Sequence, residues 1–170
     1  MRELWVLRHA KAAPHTADDR GRPLTDRGRR QCAELARDVL AAGLGLPERT
    51  MSSPAVRARQ TAELVLEGLG RSSEAGLDLD GELYQADPDD VIRRARLLDD
   101  TVTRAMVVGH NPTVESLVML LVAADDPNRA RVDEGMATCA LAVVELPVDR
   151  WAEVVTGEGR LRSYFTPTGR

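Results

Sequence analysis

Aromatic side chains are almost missing from this chain, with one Phe, two Tyr and two Trp among 170 residues. A surface that stacks the bases of single-stranded nucleic acid needs several of them, so that class of binding is excluded. The core has to be built from Leu, Val and Ala instead. Cysteine is nearly absent too: Cys32 and Cys139 stand far apart with no Cys-x-x-Cys spacing. Cys32 falls on a helical apolar stripe and Cys139 in a strand-like run, so both read as reduced core thiols. Neither HExxH nor a Cys/His ligand set occurs, and no metal or other cofactor is expected. Lysine is represented once, by Lys11, although Lys and Arg together number 23.

Long hydrophobic runs are also lacking. The longest, Leu117 to Ala124, falls far short of the roughly 20 residues that span a bilayer. Met1-Arg2-Glu3 leads straight into a strand-like run, without the apolar segment of a secretory signal. A soluble cytoplasmic protein is therefore expected. The net charge of −4 provides no general basic field for nucleic acid or an anionic membrane, so neither is expected as a partner. Arginine is nevertheless plentiful, and its planar fork suits bidentate bonding to phosphate oxygens.

What is present fits one α/β domain over residues 1–170. Apolar residues make up 43% of the chain and charged ones 29%, the balance of a globule able to bury a sizeable core. Leu4–Leu7, Arg49–Ser52, Leu77–Leu83 and Ala105–Val108 read as short strands. Thr25 is placed to cap a helix that Gly43 stops. Ser53-Pro54, Asp87-Pro88 and Asn111-Pro112 each pair a capping side chain with a proline and predict three more helix starts. Ala137–Leu146 and Trp151–Thr156 read as a terminal hairpin, with a last short segment at Leu161–Phe165. The expected architecture is a three-layer sandwich: a mostly parallel central sheet flanked by helices, with an antiparallel edge.

In such sheets the ligand crevice lies beyond the carboxyl ends of the strands. His9, Ser52-Ser53, Glu82 and His110 all fall at or just past predicted strand ends, so four separate segments aim polar groups at one rim. Two of the chain's three histidines are among them. Arg57 lies near the start of the helix after Ser53-Pro54, where the unpaired N–H groups of a helix terminus already favour an anion. Arg8 and Arg57 could hold a phosphoryl group from two sides while His9 attacks phosphorus and His110, if cationic, donates to the equatorial oxygens. Ser52 and Ser53 read as a turn and a cap, since no Gly-x-Ser-x-Gly elbow surrounds them. Lys11 is a candidate auxiliary contact to phosphate or partner, and His15 in its polar loop a weaker one.

These residues form a pattern. Leu7-Arg8-His9-Ala10, Leu24-Thr25-x-x-Gly28, Ser52-Ser53-Pro54-x-x-Arg57-Ala58-x-Gln60-Thr61 and Gly109-His110-Asn111-Pro112 resemble, in order, the motifs of the histidine phosphatase superfamily. The closest resemblance is to its small SixA-type phosphohistidine phosphatases. It covers residues 4 to about 122 and implies a phosphoglycerate mutase-like fold and a metal-independent reaction through a phosphohistidine intermediate. By the same resemblance His9 would be the nucleophile, Arg8 and Arg57 phosphate clamps, and His110 the second pocket histidine. Asn111 would contribute to phosphate binding or act as a cap. Two positions depart from the family pattern. Ala10 stands where Gly is usual, and the proton donor is open between Glu82, Asp87, Asp89, Asp90 or none.

The implied substrate is a phosphorylated protein, such as a histidine phosphotransfer domain or phosphocarrier. This length leaves little room for an inserted lid over a small sugar phosphate, so an open pocket that admits a protein side chain is expected. A broad small-molecule phosphomonoesterase is the alternative, and a non-catalytic phospho-ligand module a third reading.

Overall fold

The structure is a computed structural model and describes residues 1–72 and 76–170. It contains a six-stranded sheet, made of β1 (Arg2–Arg8), β2 (Arg49–Ser52), β3 (Leu77–Leu79), β4 (Arg104–Gly109), β5 (Leu141–Leu146) and β6 (Arg160–Phe165). Their order across the sheet is β3-β2-β4-β1-β5-β6. The first four in that order run parallel, while β5 pairs antiparallel with β1 and β6 antiparallel with β5. The expected mostly parallel sheet with an antiparallel edge is what forms.

Period-two patterning makes it a sandwich. Along β1, Leu4 and Val6 join one buried cluster, and Trp5 and Leu7 the other, all four with no exposed surface. On the Trp5 side lie α1 (Asp26–Ala41) and α2 (Val56–Gly68), which contribute Cys32, Leu35, Val39, Ala62 and Val65. On the Leu4 side lie α3 (Pro88–Arg96) and α4 (Thr113–Leu121), with Val91, Ile92, Leu117 and Val118. A single turn, α5 (Ala130–Asp133), precedes β5. No helix among the described residues is long and apolar enough to cross a membrane.

The predicted helix starts fare unequally. Thr25 accepts the Gly28 amide as a side-chain cap. Asp87 and Asp90 form a reciprocal capping box with Pro88 at the first helical position. Ser53-Pro54 lies before its helix, which begins at Val56 without a side-chain cap. Asn111 caps nothing either: the Asn111-Pro112 peptide is cis and α4 starts at Thr113.

The terminal hairpin pairs differently from expectation. Leu77–Leu79 stops short and passes into a 3-10 turn at Gly81–Tyr84. Trp151–Thr156 is not a strand at all. The segment that pairs with β5 is Arg160–Phe165, the last short segment of the sequence pattern. Trp151 instead opens a 3-10 turn and lies fully buried, its indole N–H donating to the Val102 carbonyl at 2.7 Å. One large ring plugging the α3 side outweighs the strand propensity of its neighbours. Trp151→Ala should cost about 3–5 kcal/mol in denaturant unfolding, as for other buried large-to-small changes. Trp151→Phe should cost clearly less, and equal losses for the two variants would contradict a packing role.

Candidate active site

Parallel neighbours bring their carboxyl ends to one edge, and here hydrogen bonds carry the ladder past the strands. His9 N–H donates to Gly109 O at 3.0 Å and Ser53 N–H to Val108 O at 3.1 Å. The residues following β1, β2 and β4 are therefore held in line. His9 and His110 face each other with ring centroids 5.3 Å apart. Arg8, His9, Lys11, Ala12, Arg22, Arg57, His110, Asn111 and Thr138 line an open cleft of about 300 Å³.

A larger cleft of about 520 Å³ lies beside β3 and α3. Four of its charged side chains pair with one another, Arg49 with Asp78 and Arg94 with Asp80, and Asp99 accepts from Thr101. Histidines and unpaired guanidinium nitrogens converge on the smaller one, and that is the candidate site.

His9 is arranged as a nucleophile would be. Its Nδ1 lies 2.8 Å from the Ala10 carbonyl. A carbonyl can only accept, so Nδ1 carries the proton and Nε2 presents its lone pair. Burial pushes the imidazole down to about 3, against the Ala10 carbonyl and with help from His110, Arg57 and Arg8. His110 is lowered to about 4 by burial first and Arg57 second. Its Nε2 is 2.8 Å from Ser53 Oγ, which also accepts the Ala55 N–H. Ser53 thus orients the second histidine, a contact beyond the turn-and-cap role read from the sequence.

Arg57 is only 5% exposed and is fixed from its outer edge. Its terminal nitrogens donate to the Asp19 carbonyl at 2.7 Å and to Asp19 Oδ2 at 3.1 Å. That carboxylate also accepts from Tyr84 Oη at 2.5 Å and from Arg22 Nε at 3.0 Å. Led by the Tyr84 hydrogen bond, these partners hold Asp19 well below the usual carboxylate range. Arg8 donates to Met136 O at 2.7 Å. Arg8 Nε, Arg57 Nε and His110 Nδ1 remain buried without a protein partner. Unsatisfied buried nitrogens on three residues lining one cleft are what an oxyanion would complete.

One expected residue is placed elsewhere, and another has its donors already engaged. Glu82 sits in the 3-10 turn with its side chain 77% exposed and its carboxylate on Arg94, at the other cleft. Once the chain turns after β3, Tyr84 points toward His110 and Glu82 points away. Asp87 and Asp90 are engaged in their capping box and Asp89 is exposed, so none of the alternative acids lines the cleft. Asn111 does line it, but its amide donates to Glu115 Oε2 and to Met136 O. Both amide hydrogens are thereby used, and the side chain struts the Met136 loop rather than offering a free donor to phosphate.

Asp19, Tyr84 and Glu115 were not singled out in the sequence. Glu115 follows Asn111 by one helical turn, a legible spacing. Asp19 meets Arg57 and Tyr84 across 38 and 65 positions, which no local pattern encodes.

Residues 4–84 match the profile of the histidine phosphatase superfamily (branch 1). An uncharacterized protein of Mycobacterium tuberculosis is 35% identical over 166 residues, covering 95% of this chain and 99% of the relative. The chain belongs to the histidine phosphatase superfamily.

Solved structures agree. A SixA protein from Nakamurella multipartitia superposes with a TM-score of 0.80 at 27% identity, covering 98% of this chain and 96% of that one. The protein histidine phosphatase SixA complexed with tungstate gives 0.77 at 28% identity, with 97% of each chain covered. This histidine phosphatase has a SixA-like fold, and its membership makes phosphatase chemistry the activity class.

Ala10, where the family pattern has glycine, fits its place without backbone strain. Its methyl is buried in the α1–α2 cluster, and its N–H donates to Thr61 Oγ1 at 2.9 Å. Among the described residues Cys139 alone of the non-glycines has a positive φ, so Ala10 is unstrained.

The depressed histidines fix a pH dependence. Their unfolded forms, near 6.5, bind protons that the folded ones refuse. Stability is therefore complete above about pH 6.5 and falls as pH drops toward 4. Asp19 has the same sign, but its contribution is lost only below its ordinary value near 4. Unfolding free energy measured from pH 7 to 4.5 should decline in the parent and flatten in a His9→Gln/His110→Gln double variant. An unchanged slope would mean that the two rings are not desolvated.

Proposed function

We propose that this histidine phosphatase removes phosphate from phosphohistidine in a protein, without a metal, through a covalent intermediate on His9. The phosphoryl group binds between Arg8 and Arg57, with His110 donating to an equatorial oxygen. The His9 Nε2 lone pair attacks phosphorus as the P–N bond to the substrate imidazole breaks, and that imidazole leaves already carrying its proton. Water then attacks phosphorus, the P–Nε2 bond to His9 breaks, and inorganic phosphate and a proton pass to solvent. Charge stabilisation by fixed cations carries most of the rate in such transfers.

The observation that supports this substrate class is the lack of an acid in the cleft among the described residues. Asp19, the carboxylate touching the Arg57 clamp, is held ionised, Glu82 faces Arg94, and His110 resists protonation. An alkoxide leaving group needs a proton at the moment of cleavage. A protonated imidazole does not. The open cleft also admits a side chain projecting from a protein surface.

Two measurements test this. On a phosphohistidine phosphocarrier protein with EDTA present, His9→Ala should lose more than about 10³-fold in kcat, the scale of deleting a covalent nucleophile. His110→Ala should lose at least about 10²-fold, as for one oxyanion donor; near-parent rates in either variant would remove that residue from the reaction. Comparing kcat/KM on the phosphocarrier with a panel of sugar phosphates tests the substrate. The protein should win, and a sugar phosphate ahead by orders of magnitude would replace this reading with a small-molecule phosphomonoesterase.

A further inference from the structure

Four cations line the cleft, and three have acceptors within the protein. Arg57 and Arg22 share Asp19, Arg22 also donates to Ala13 O, and Arg8 donates to Met136 O. Nearby, Arg20 stacks on the Tyr84 ring at 4.6 Å and His15 lies 3.4 Å from Asp19. Lys11 is the remaining one. It is exposed, and among the described residues its ammonium has no hydrogen-bond or ion-pair partner.

The backbone beneath that free charge is tightly held. Lys11 N–H donates to Gln31 Oε1 at 2.9 Å, and Lys11 O accepts from Thr25 N–H at 2.9 Å and Thr25 Oγ1 at 3.1 Å. Gln31 is itself buried and reaches across to Thr138 Oγ1 on the opposite wall. Gly28 lets α1 approach so closely that a Cβ there would lie 2.2 Å from the Lys11 carbonyl oxygen. A mobile rim would need none of this. The fold holds residue 11 in a fixed position two residues from His9, at most about 7.6 Å away along Cα atoms. A residue next to phosphohistidine in a substrate chain is offset from the reacting group by a similar distance.

Building on the phosphohistidine-protein reading, we infer that Lys11 is a specificity-determining residue that pairs with a carboxylate flanking the substrate phosphohistidine. The phosphoryl group engages Arg8 and Arg57, whose orientations are fixed by carbonyls and Asp19, and leaves Lys11 unsatisfied. An ammonium on a flexible stem accepts a carboxylate in several geometries, where an arginine fork would demand one. Lys11 thereby selects acidic surroundings in a protein whose net charge of −4 otherwise repels them.

The test uses two phosphohistidine peptides alike except that the residues flanking phosphohistidine are Asp in one and Asn in the other. The parent protein should favour the Asp peptide about tenfold in kcat/KM, mainly through KM, and the preference should shrink toward unity in about 0.5 M salt, as screening requires. Lys11→Ala should abolish the preference, Lys11→Arg keep most of it and Lys11→Glu reverse it. A parent with no preference, or a Lys11→Ala variant that retains it, overturns the inference while leaving the phosphohistidine reading intact. Failure of the parent on both peptides, with sugar phosphates hydrolysed well, overturns the two together.

Discussion

The site depends on three parallel strand ends being locked in register at one edge of the sheet. Main-chain bonds from His9 to Gly109 and from Ser53 to Val108 extend the ladder one residue beyond β1 and β2, just where side chains leave the sheet for the cleft. Slippage by one residue would turn His9 into the core and Ala10 outward, because successive residues of a strand face opposite sides. The fully buried Leu4–Leu7 run forbids that slip, since both of its faces are packed. The geometry of the candidate site is in this sense a consequence of core packing.

Electrostatics builds on that frame. Cations crowd the cleft, and among the described residues Asp19 is the one carboxylate that pairs with Arg57. Desolvation first, and the neighbouring cations second, keep both imidazoles neutral before substrate arrives, so the proposed nucleophile needs no base to free its lone pair. The same field would draw in a phosphoryl dianion, and Arg8, Arg57 and His110 each keep a buried nitrogen without a protein partner. Asp19 links the two requirements by orienting Arg57 without neutralising its inner edge, and Tyr84 and Arg22 in turn fix Asp19. A polar loop between β1 and α1 thus becomes a structural part of the site.

Much of this was legible from residues alone. The carboxyl ends of β1, β2 and β4, the capped helices at Thr25 and Asp87, and the placement of Arg8, His9, Arg57 and His110 at one rim follow from periodicity and local chemistry. Long-range choices were not legible. The pairing of β5 with Arg160–Phe165 rather than Trp151–Thr156 turns on where one indole fits, a tertiary fact with no local signature. A rim position for Glu82 requires β3 to continue to Leu83. The strand ends at Leu79 instead, the 3-10 turn rotates the chain, and Tyr84 takes the inward position. Asn111 had a capping spacing, yet Glu115 and Met136 compete successfully for its amide.

The central claim is that His9, through its unprotonated Nε2, takes the phosphoryl group. Rapid mixing with radiolabelled phosphohistidine protein, an alkaline quench that preserves phosphoramidate bonds, and peptide mapping of the enzyme address it directly. The account predicts label on His9 at Nε2, appearing before free phosphate and absent in His9→Ala. Label on His110 or on any other residue, or label that persists without His9, would contradict it.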